Sequence, residues 1–237
     1  MWALSGGRPD NGHLHLMFSF QAQAVFFDLD GTLADTAADL AAPIHLMRAA
    51  RGLPPVDESL LRPFTSMGAR GLLGQGLNVR PGDAEFETLR AEFLAHYETG
   101  LVRRTVLFEG MHQVLAELDA AGVRWGVISN KVERYVRPIL AGLGLMDRSI
   151  CAIGGDTASH PKPHPAPLLL GASQSQVDPS RCIYIGDDLR DIEAGRAAGM
   201  GTVAAAYGYC GDTHPPHAWG ADFLIDHPMQ LMGLLPR

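Results

Sequence analysis

The amino-acid sequence predicts an α/β fold: a Rossmann-like parallel sheet core with an inserted helical cap. Short apolar runs of strand length alternate with helical patterns over most of the chain, which is typical of parallel sheets built from right-handed crossovers. One long interval breaks this alternation and contains helical patterns alone. The chain has 237 residues, 46% of them hydrophobic, which suffices for one large domain or for a domain with a smaller one attached.

The predicted strands are short apolar runs, several of which end in polar or glycine residues. The first, Ala24–Phe27, is apolar throughout, as expected of a strand buried on both faces. Later strands are predicted at 124–128, 151–153, 182–185, 201–205 and 223–225. Helical patterns separate them at 110–121, 133–143, 165–173 and 189–198, and most of these patterns end near a glycine.

Residues 36–107 form the interval that lacks the alternation. Helical patterns lie at 36–50, 58–64, 69–77 and 83–100, with no convincing strand among them. We therefore expect a helical cap at 36–107, inserted into a core made of 17–35 and 108–237. Residues 1–16 are rich in glycine and have neither a basic start nor an apolar centre, so we expect a disordered extension rather than a signal peptide.

Composition narrows the classes of partner and compartment. The formal net charge is −7 and no run of Lys or Arg occurs, so neither nucleic acid nor a membrane is an expected partner. No apolar run approaches the roughly 18 residues that a membrane span requires. The three cysteines lie far apart, which indicates reduced thiols and a cytoplasmic location. A monomer and a homodimer are both compatible with these features.

Two carboxylates follow the first strand, in the stretch Asp28-Leu29-Asp30-Gly31-Thr32. Side chains alternate along an extended chain, so Asp28 and Asp30 are expected on the same side. Neighbouring acids repel each other and favour a bound cation or a proton on one of them. Such oxygen ligands suit Mg2+, and a carboxylate can also be a covalent nucleophile towards phosphorus. The alternative is a strand that ends in an ordinary Asp-Gly turn.

Polar clusters at 28–32, 129–131 and 187–191 each follow a predicted strand. The carboxyl ends of parallel strands meet at one edge of the sheet, where α/β proteins collect their functional groups. The clusters therefore predict one composite site. Lys162 lies between two prolines, in a stiff loop that can direct a point charge towards such a site.

Four motifs occur in a fixed order: Asp28-x-Asp30-Gly31-Thr32, Ser129-Asn130, Lys162-Pro163 and Gly186-Asp187-Asp188-x-x-Asp191. This ordered set resembles the haloacid dehalogenase superfamily of phosphohydrolases, and the resemblance covers residues 18–237. The whole chain is similar to the phosphoglycolate phosphatase-like subfamily and, within it, to the N-acetylmuramic acid 6-phosphate phosphatases. The stretches that carry this closer similarity are 186–193, 206–209, 219–222 and 225–228.

The resemblance implies catalytic and metal-binding roles. Asp28 is expected to be the nucleophile that forms an aspartyl-phosphate, and Asp30 the general acid that later serves as the base. Mg2+ is the implied cofactor. Its expected ligands are the Asp28 carboxylate, the Asp30 backbone carbonyl and the Asp187 carboxylate.

The same resemblance assigns the phosphate-binding residues, namely the Ser129 hydroxyl, the Asn130 backbone N–H and the Lys162 amine. Thr32 and Asp191 are expected to support the site from behind, with Asp191 a partner of Lys162 or of a water on Mg2+. Asp188 belongs either to the acidic cluster or to the start of the following helix as a cap, and both readings stay open.

Substrate selection is expected from the helical cap, at the loop-to-helix turn 65–70. A helix N-terminus favours an anion there, and Arg70 is a candidate to bind a substrate carboxylate. A solvent-facing arginine is the alternative. The resemblance implies a small carboxylated or sugar phosphate ester as substrate, such as 2-phosphoglycolate or N-acetylmuramate 6-phosphate.

Other activities of the same superfamily are the competing hypotheses. A sugar phosphomutase has the same site and differs in returning the phosphoryl group to its substrate. A haloacid dehalogenase requires the nucleophile but no Mg2+, and the presence of Asp30 and Asp187 argues against it. A non-catalytic binding protein is expected to lack one of the motif residues, and all are present. The sequence thus predicts a Mg2+-dependent phosphatase.

Overall fold

The computed structural model describes residues 22–211 and 214–234, so the predicted extension at 1–16 lies outside the described residues. Six strands form the main sheet: β1 Ala24–Phe27, β4 Arg124–Ile128, β5 Ala152–Ile153, β6 Cys182–Gly186, β7 Gly201–Ala205 and β8 Phe223–Ile225. All neighbouring pairs are parallel, in the order β5-β4-β1-β6-β7-β8. The predicted α/β fold is confirmed.

Strand β1 lies at the centre of this sheet, hydrogen-bonded to β4 on one side and β6 on the other. All four of its residues are fully buried, which explains the uninterrupted apolar run. Because side chains alternate, Val25 and Phe27 join the hydrophobic cluster on one face, whereas Ala24 and Phe26 join the cluster on the other. The acidic motif that follows β1 therefore begins from a rigid position.

A second, two-stranded sheet lies where the chain leaves the core and returns to it. Strand β2 Ala34–Asp35 pairs antiparallel with β3 Val106–Leu107. The expectation that residues 36–107 contain no strand is wrong at β3. A strand of two residues is too short to produce an alternating pattern, so the sequence does not reveal it.

The helices between β2 and β3 form what we call the helical insertion: α1 Ala37–Ala50, α2 Glu58–Leu61, a 3₁₀ segment Arg62–Met67, α3 Gly68–Leu77 and α4 Phe86–Glu98. Within the predicted helix at 58–64, the α-helical part ends at Leu61, because Pro63 has no N–H for the next intrahelical hydrogen bond. The predicted helix at 83–100 begins three residues late. There the Asp83 carboxylate accepts a hydrogen bond from the Arg80 N–H and forms a turn instead.

Four helices cover the main sheet: α5 Met111–Ala120, α6 Glu133–Gly142, α7 Ala166–Gln174 and α8 Leu189–Ala197. Each lies within one or two residues of the predicted range at both ends. The larger hydrophobic cluster extends from the sheet into the helical insertion, where it includes Ile44, Leu72 and Phe93. None of the helices within 22–211 and 214–234 has both the length and the apolar character needed to cross a membrane.

Candidate active site

Asp28 is the first residue after β1, and its N–H donates to the Ile185 carbonyl at 2.9 Å. The residue is 8% exposed. Its Oδ1 atom is buried and lies 3.1 Å from the Lys162 Nζ atom, yet it has no hydrogen bond of good geometry. A buried carboxylate oxygen left in this way is costly unless a cation or another donor completes its shell.

Gly31 permits the tight turn that brings the first motif against the last. Its φ is +89°, a conformation that residues with a Cβ rarely adopt. A Cβ here would collide with the Asp187 carboxylate and the Tyr209 ring. The glycine of the motif is therefore required by the close approach of Asp187.

Asp30 is held by two residues from different segments. Both of its carboxylate oxygens lie 3.0 Å from the Lys131 Nζ atom, and Oδ1 also accepts a hydrogen bond from the Thr36 hydroxyl at 2.5 Å. The Lys131 and Asp30 side chains are 7% and 13% exposed. The Lys131 amine also lies 4.9 Å from the centre of the Tyr97 ring, which belongs to the helical insertion. Asp30 is thus fixed at the boundary between the sheet and the insertion.

The Lys162 loop is fastened by the side chain of Asn130. The Asn130 Oδ1 atom accepts from the Lys162 N–H at 2.8 Å, and its Nδ2 atom donates to the Lys162 carbonyl at 2.9 Å. The Lys162 amine donates to Asp191 Oδ1 at 2.6 Å and to the Tyr184 hydroxyl at 2.8 Å. The charge of Lys162 is therefore buried and aimed at the end of β1.

Asp28, Asp187 and Asp191 form an acidic cluster in which one carboxylate oxygen from each residue lies within 4.8 Å of the other two. Asp187 is held by the Thr32 hydroxyl at 3.0 Å and the Tyr209 N–H at 2.8 Å. Burial, followed by the charges of Asp28 and Asp191, raises the pKa of Asp187 well above its ordinary value. Burial likewise raises the pKa of Asp191 to about 7. An oxygen-only cluster of like charges, one oxygen lacking a hydrogen bond, has the donor set that suits Mg2+.

Asp188 caps helix α8, which was one of the two readings left open by the sequence. Its carboxylate accepts from the Arg190 N–H at 2.9 Å, and the Asp188 N–H donates to Asp191 Oδ2 at 3.1 Å. The Asp188 side chain also accepts from the Asp191 N–H, and this bond and the reciprocal bond to Asp191 form a capping box. Asp191 consequently connects the start of α8 with Lys162.

A cavity of about 460 Å³ brings most of the predicted site residues together. From the sheet, its lining includes Asp28, Asp30, Ser129, Asn130 and Lys162. Thr32 and Asp187 are fully buried and stand behind these residues. The hydroxyl of Ser129 also accepts from the Lys131 N–H at 3.3 Å.

The helical insertion lines the opposite wall of the cavity through residues 65–68 and Arg70. Arg70 is exposed, in the first turn of α3. The hydroxyls of Thr65 and Ser66 are buried and have no hydrogen-bond partner. Thr65 and Ser66 line the cavity together with Asp28, although their hydroxyl oxygens are themselves buried.

Sequence reasoning missed three residues with a structural part in the site. Lys131 follows Ser129 and Asn130 directly, so its position in the second polar cluster was an available signal. Arg190 lines the cavity from α8. Tyr209 lies outside the four motifs; its hydroxyl accepts from the Thr36 N–H at 2.8 Å and donates to Asp35 at 3.0 Å. No local sequence pattern predicts hydrogen bonds between residues so far apart along the chain.

The sequence matches the haloacid dehalogenase-like hydrolase family over residues 25–205. This range includes the four motifs and every strand of the main sheet except β8. The chain belongs to the haloacid dehalogenase-like hydrolase family, and the resemblance stated from the sequence is confirmed.

Individual relatives are phosphatases. The chain is 44% identical over 221 residues to N-acetylmuramic acid 6-phosphate phosphatase of Pseudomonas aeruginosa, covering 93% of this chain and 98% of that enzyme. It is also 44% identical over 209 residues to phosphoglycolate phosphatase of Xanthomonas campestris pv. campestris, covering 88% and 94%. A predicted phosphoglycolate phosphatase from Haemophilus somnus superimposes with a TM-score of 0.78 at 27% identity, covering 90% and 97%. The expected enzyme class, a phosphatase, is confirmed.

Proposed function

We propose that this phosphatase is a Mg2+-dependent phosphomonoester hydrolase that works through an aspartyl-phosphate on Asp28. The observation that carries the proposal is the position of the Asp28 carboxylate. It lies at the cavity wall beside the buried Lys162 amine, and its Oδ1 atom has no hydrogen bond. A nucleophile held next to a fixed cation suits phosphoryl transfer, which depends mainly on positioning and charge stabilisation.

In the first step, an Asp28 oxygen attacks phosphorus while the bond to the leaving oxygen breaks, and that oxygen takes a proton from Asp30. In the second step, water attacks the phosphorus of the aspartyl-phosphate and gives a proton to Asp30. This step restores the Asp28 carboxylate and releases inorganic phosphate. The Ser129 hydroxyl, the Asn130 N–H and the Lys162 amine stabilise the phosphoryl oxygens.

The acidic cluster supports the metal requirement. The Asp28 and Asp187 carboxylates and the Asp30 backbone carbonyl would hold Mg2+, with Asp191 behind them as the partner of Lys162. When bound, Mg2+ neutralises charge on the cluster and on the phosphoryl oxygens. Thr32 keeps one Asp187 oxygen in place through its hydroxyl.

We propose further that the helical insertion serves as a cap domain over a core of residues 17–35 and 108–237, in a cytoplasmic enzyme. The leaving group would lie against residues 65–70. Arg70 lines the cavity with no carboxylate partner among the described residues, so it is available to a substrate carboxylate. The cavity volume of about 460 Å³ lies in the range of roughly 300–1,000 Å³ that encloses drug-sized ligands. This size favours a sugar ester such as N-acetylmuramate 6-phosphate over the two-carbon 2-phosphoglycolate.

A comparison of kcat/KM with Mg2+ for N-acetylmuramate 6-phosphate, 2-phosphoglycolate and glucose 6-phosphate tests this function. We expect the first ester to be hydrolysed best and Asp28→Asn to abolish turnover. Arg70→Ala should raise KM for the carboxylated esters by about tenfold to a hundredfold, the strength of a charge-assisted hydrogen bond, and should spare glucose 6-phosphate.

Arg80→Ala is the matched control, because Arg80 is an exposed arginine of the insertion away from the cavity. Preference for 2-phosphoglycolate would contradict the size argument. Equal effects of Arg70→Ala on all three esters would contradict carboxylate binding. Turnover that requires a hexose bisphosphate would identify a phosphomutase instead, and hydrolysis of no ester would refute the proposal.

A further inference from the structure

Arg190 connects the core to the wall of the helical insertion that lines the cavity. It lies in the first turn of α8, directly before Asp191. Its Nη2 atom donates to the Ser66 backbone carbonyl at 3.0 Å. Ser66 belongs to the 3₁₀ segment that precedes α3, so this bond joins the segment of the acidic cluster to the loop above it.

The guanidinium group is itself fixed by Asp188. The Arg190 Nε and Nη2 atoms donate to the two Asp188 oxygens at 2.8 and 2.7 Å, a two-pronged arrangement that sets both position and orientation. The two side chains are 30% and 22% exposed, so solvent weakens this pair only in part. Because Asp188 also caps α8, the head of Arg190 has a defined position relative to Asp191 and Lys162.

The loop that Arg190 contacts, residues 65–70, lines the cavity through all its residues except Ala69. The hydroxyls of Thr65 and Ser66 are buried without a partner, and Arg70 follows one helical turn later. Another ion pair between core and insertion, Arg134 with Glu98, has side chains 61% and 48% exposed and does not adjoin the cavity. An exposed pair of this kind contributes little. Arg62 holds the start of the 3₁₀ segment by pairing with Asp35 at 2.9 Å, whereas Arg190 holds its Ser66 end beside the cavity.

We propose that Arg190 is a positioning residue for substrate selection, which holds loop 65–70 at the distance from Asp28 that a polar, sugar-sized leaving group requires. The inference rests on the proposed function and deepens it. Arg190 acts through the loop and not on the reacting atoms. Its loss should therefore weaken binding of esters with a polar leaving group that touches the loop, and should affect hydrolysis of p-nitrophenyl phosphate much less.

Arg190→Ala tests the inference, with Arg196→Ala as the matched control because Arg196 is an exposed arginine on the same helix. For N-acetylmuramate 6-phosphate, Arg190→Ala should raise KM by about tenfold to a hundredfold, the strength of a hydrogen bond to a charged group. The control should match the wild type. Hydrogen exchange of the peptide that contains residues 62–70 should be faster in Arg190→Ala and unchanged in Arg196→Ala.

Asp188→Asn provides an independent variant, since asparagine still caps a helix but no longer pairs with the guanidinium as a charge. It should raise KM in the same direction, and the double variant should be no worse than Arg190→Ala alone. Should Arg190→Ala not fold, Arg190→Lys replaces it. Lysine keeps the positive charge but cannot make the two-pronged hydrogen bond to Asp188, so KM for N-acetylmuramate 6-phosphate should still rise.

An unchanged KM and unchanged exchange in folded Arg190 variants would overturn the inference. Equal losses with p-nitrophenyl phosphate would also overturn it, since they would indicate damage to the chemistry. A wild-type enzyme that hydrolyses no phosphate ester would instead refute the proposed function, so the two failures are distinguishable.

Discussion

At the scale of single residues, Lys131 holds the proposed acid and base, Asp30, through two contacts of 3.0 Å. Lys131→Met should lower kcat for alkyl phosphates by about a hundredfold, the effect of misplacing a catalytic group by about 1 Å. The loss should be smaller for p-nitrophenyl phosphate, whose leaving group needs no proton. Steady-state kinetics with both esters measure the difference, and equal losses would argue against a role through Asp30.

The same substitution leaves a buried carboxylate unpaired, so it should also lower the free energy of unfolding by about 3 kcal/mol in urea titrations. Arg134→Met is the control. It breaks an exposed pair, with side chains 61% and 48% exposed, and should lower stability by no more than about 1 kcal/mol. An equal loss of stability in Lys131→Met and Arg134→Met would show that burial does not make the Lys131–Asp30 pair more important than an exposed pair.

Residue patterns predicted Asp28, Asp30 and Asp187 because these carboxylates follow predicted parallel strands whose ends meet at one edge, and because the ordered motifs resemble those of a known superfamily. The same patterns could not predict how Asp30 is held. Its partners Lys131 and Thr36 are ordinary residues outside the acidic motif, and only the folded chain places them within reach. The catalytic and binding roles of the predicted residues stay predictions until the kinetic tests are made.

At the scale of elements, the turn between β1 and β2 depends on Gly31. Gly31→Ala places a methyl group against the Asp187 carboxylate in a left-handed conformation. We expect about 2–4 kcal/mol of lost stability, from the strain of the turn and the displaced neighbours, together with weaker Mg2+ binding. Urea unfolding and a Mg2+ titration measure these losses.

Gly52→Ala separates the two causes, since Gly52 has a φ of +65° but open space around it. Gly52→Ala should lower the free energy of unfolding by only about 1–2 kcal/mol, the cost of a left-handed backbone conformation, and should leave Mg2+ binding unchanged. If both variants lose the same stability and bind Mg2+ equally, the close approach to Asp187 is not what requires glycine at position 31.

The main strands were predictable because each is a short, largely apolar run, and the four inner strands lie between two neighbours, where burial favours such a run. The paired strands β2 and β3 were not predictable, because two residues are too few to show the alternation of side chains that is typical of a strand. The 3₁₀ segment at Arg62–Met67 was predicted in part as α-helix, although Pro63 is a local signal that α-helical hydrogen bonds end there. Short elements are set by long-range pairing, which a local pattern does not record.

At the scale of the whole molecule, the acidic cluster joins β1 to the segment after β6, so we expect the stability of the fold to depend on Mg2+. Mg2+ at about a hundred times its dissociation constant should stabilise the protein by about 3 kcal/mol. For a chain of this size, that corresponds to a rise of several degrees in Tm. Thermal unfolding with EDTA and with added Mg2+ measures it.

Asp187→Asn should abolish the Mg2+ response, and because an amide cannot accept from both the Thr32 hydroxyl and the Tyr209 N–H, it should also lower the Tm measured in EDTA. Asp226→Asn, at an exposed aspartate, should leave both values unchanged. A response to Mg2+ that survives in Asp187→Asn would place the cation elsewhere.

The pairing of β2 with β3 determines how readily the helical insertion could be exchanged for another. The helical insertion begins after β2 and ends before β3. These two strands pair with each other, with Ala34 opposite Leu107, so the two ends of the insertion lie side by side. A surface loop with adjoining ends can be exchanged with little disturbance to what it is attached to. We therefore expect that exchanging the helices between the two strands, with Thr36 kept as the partner of Asp30, would alter substrate selection and leave the acidic cluster in place.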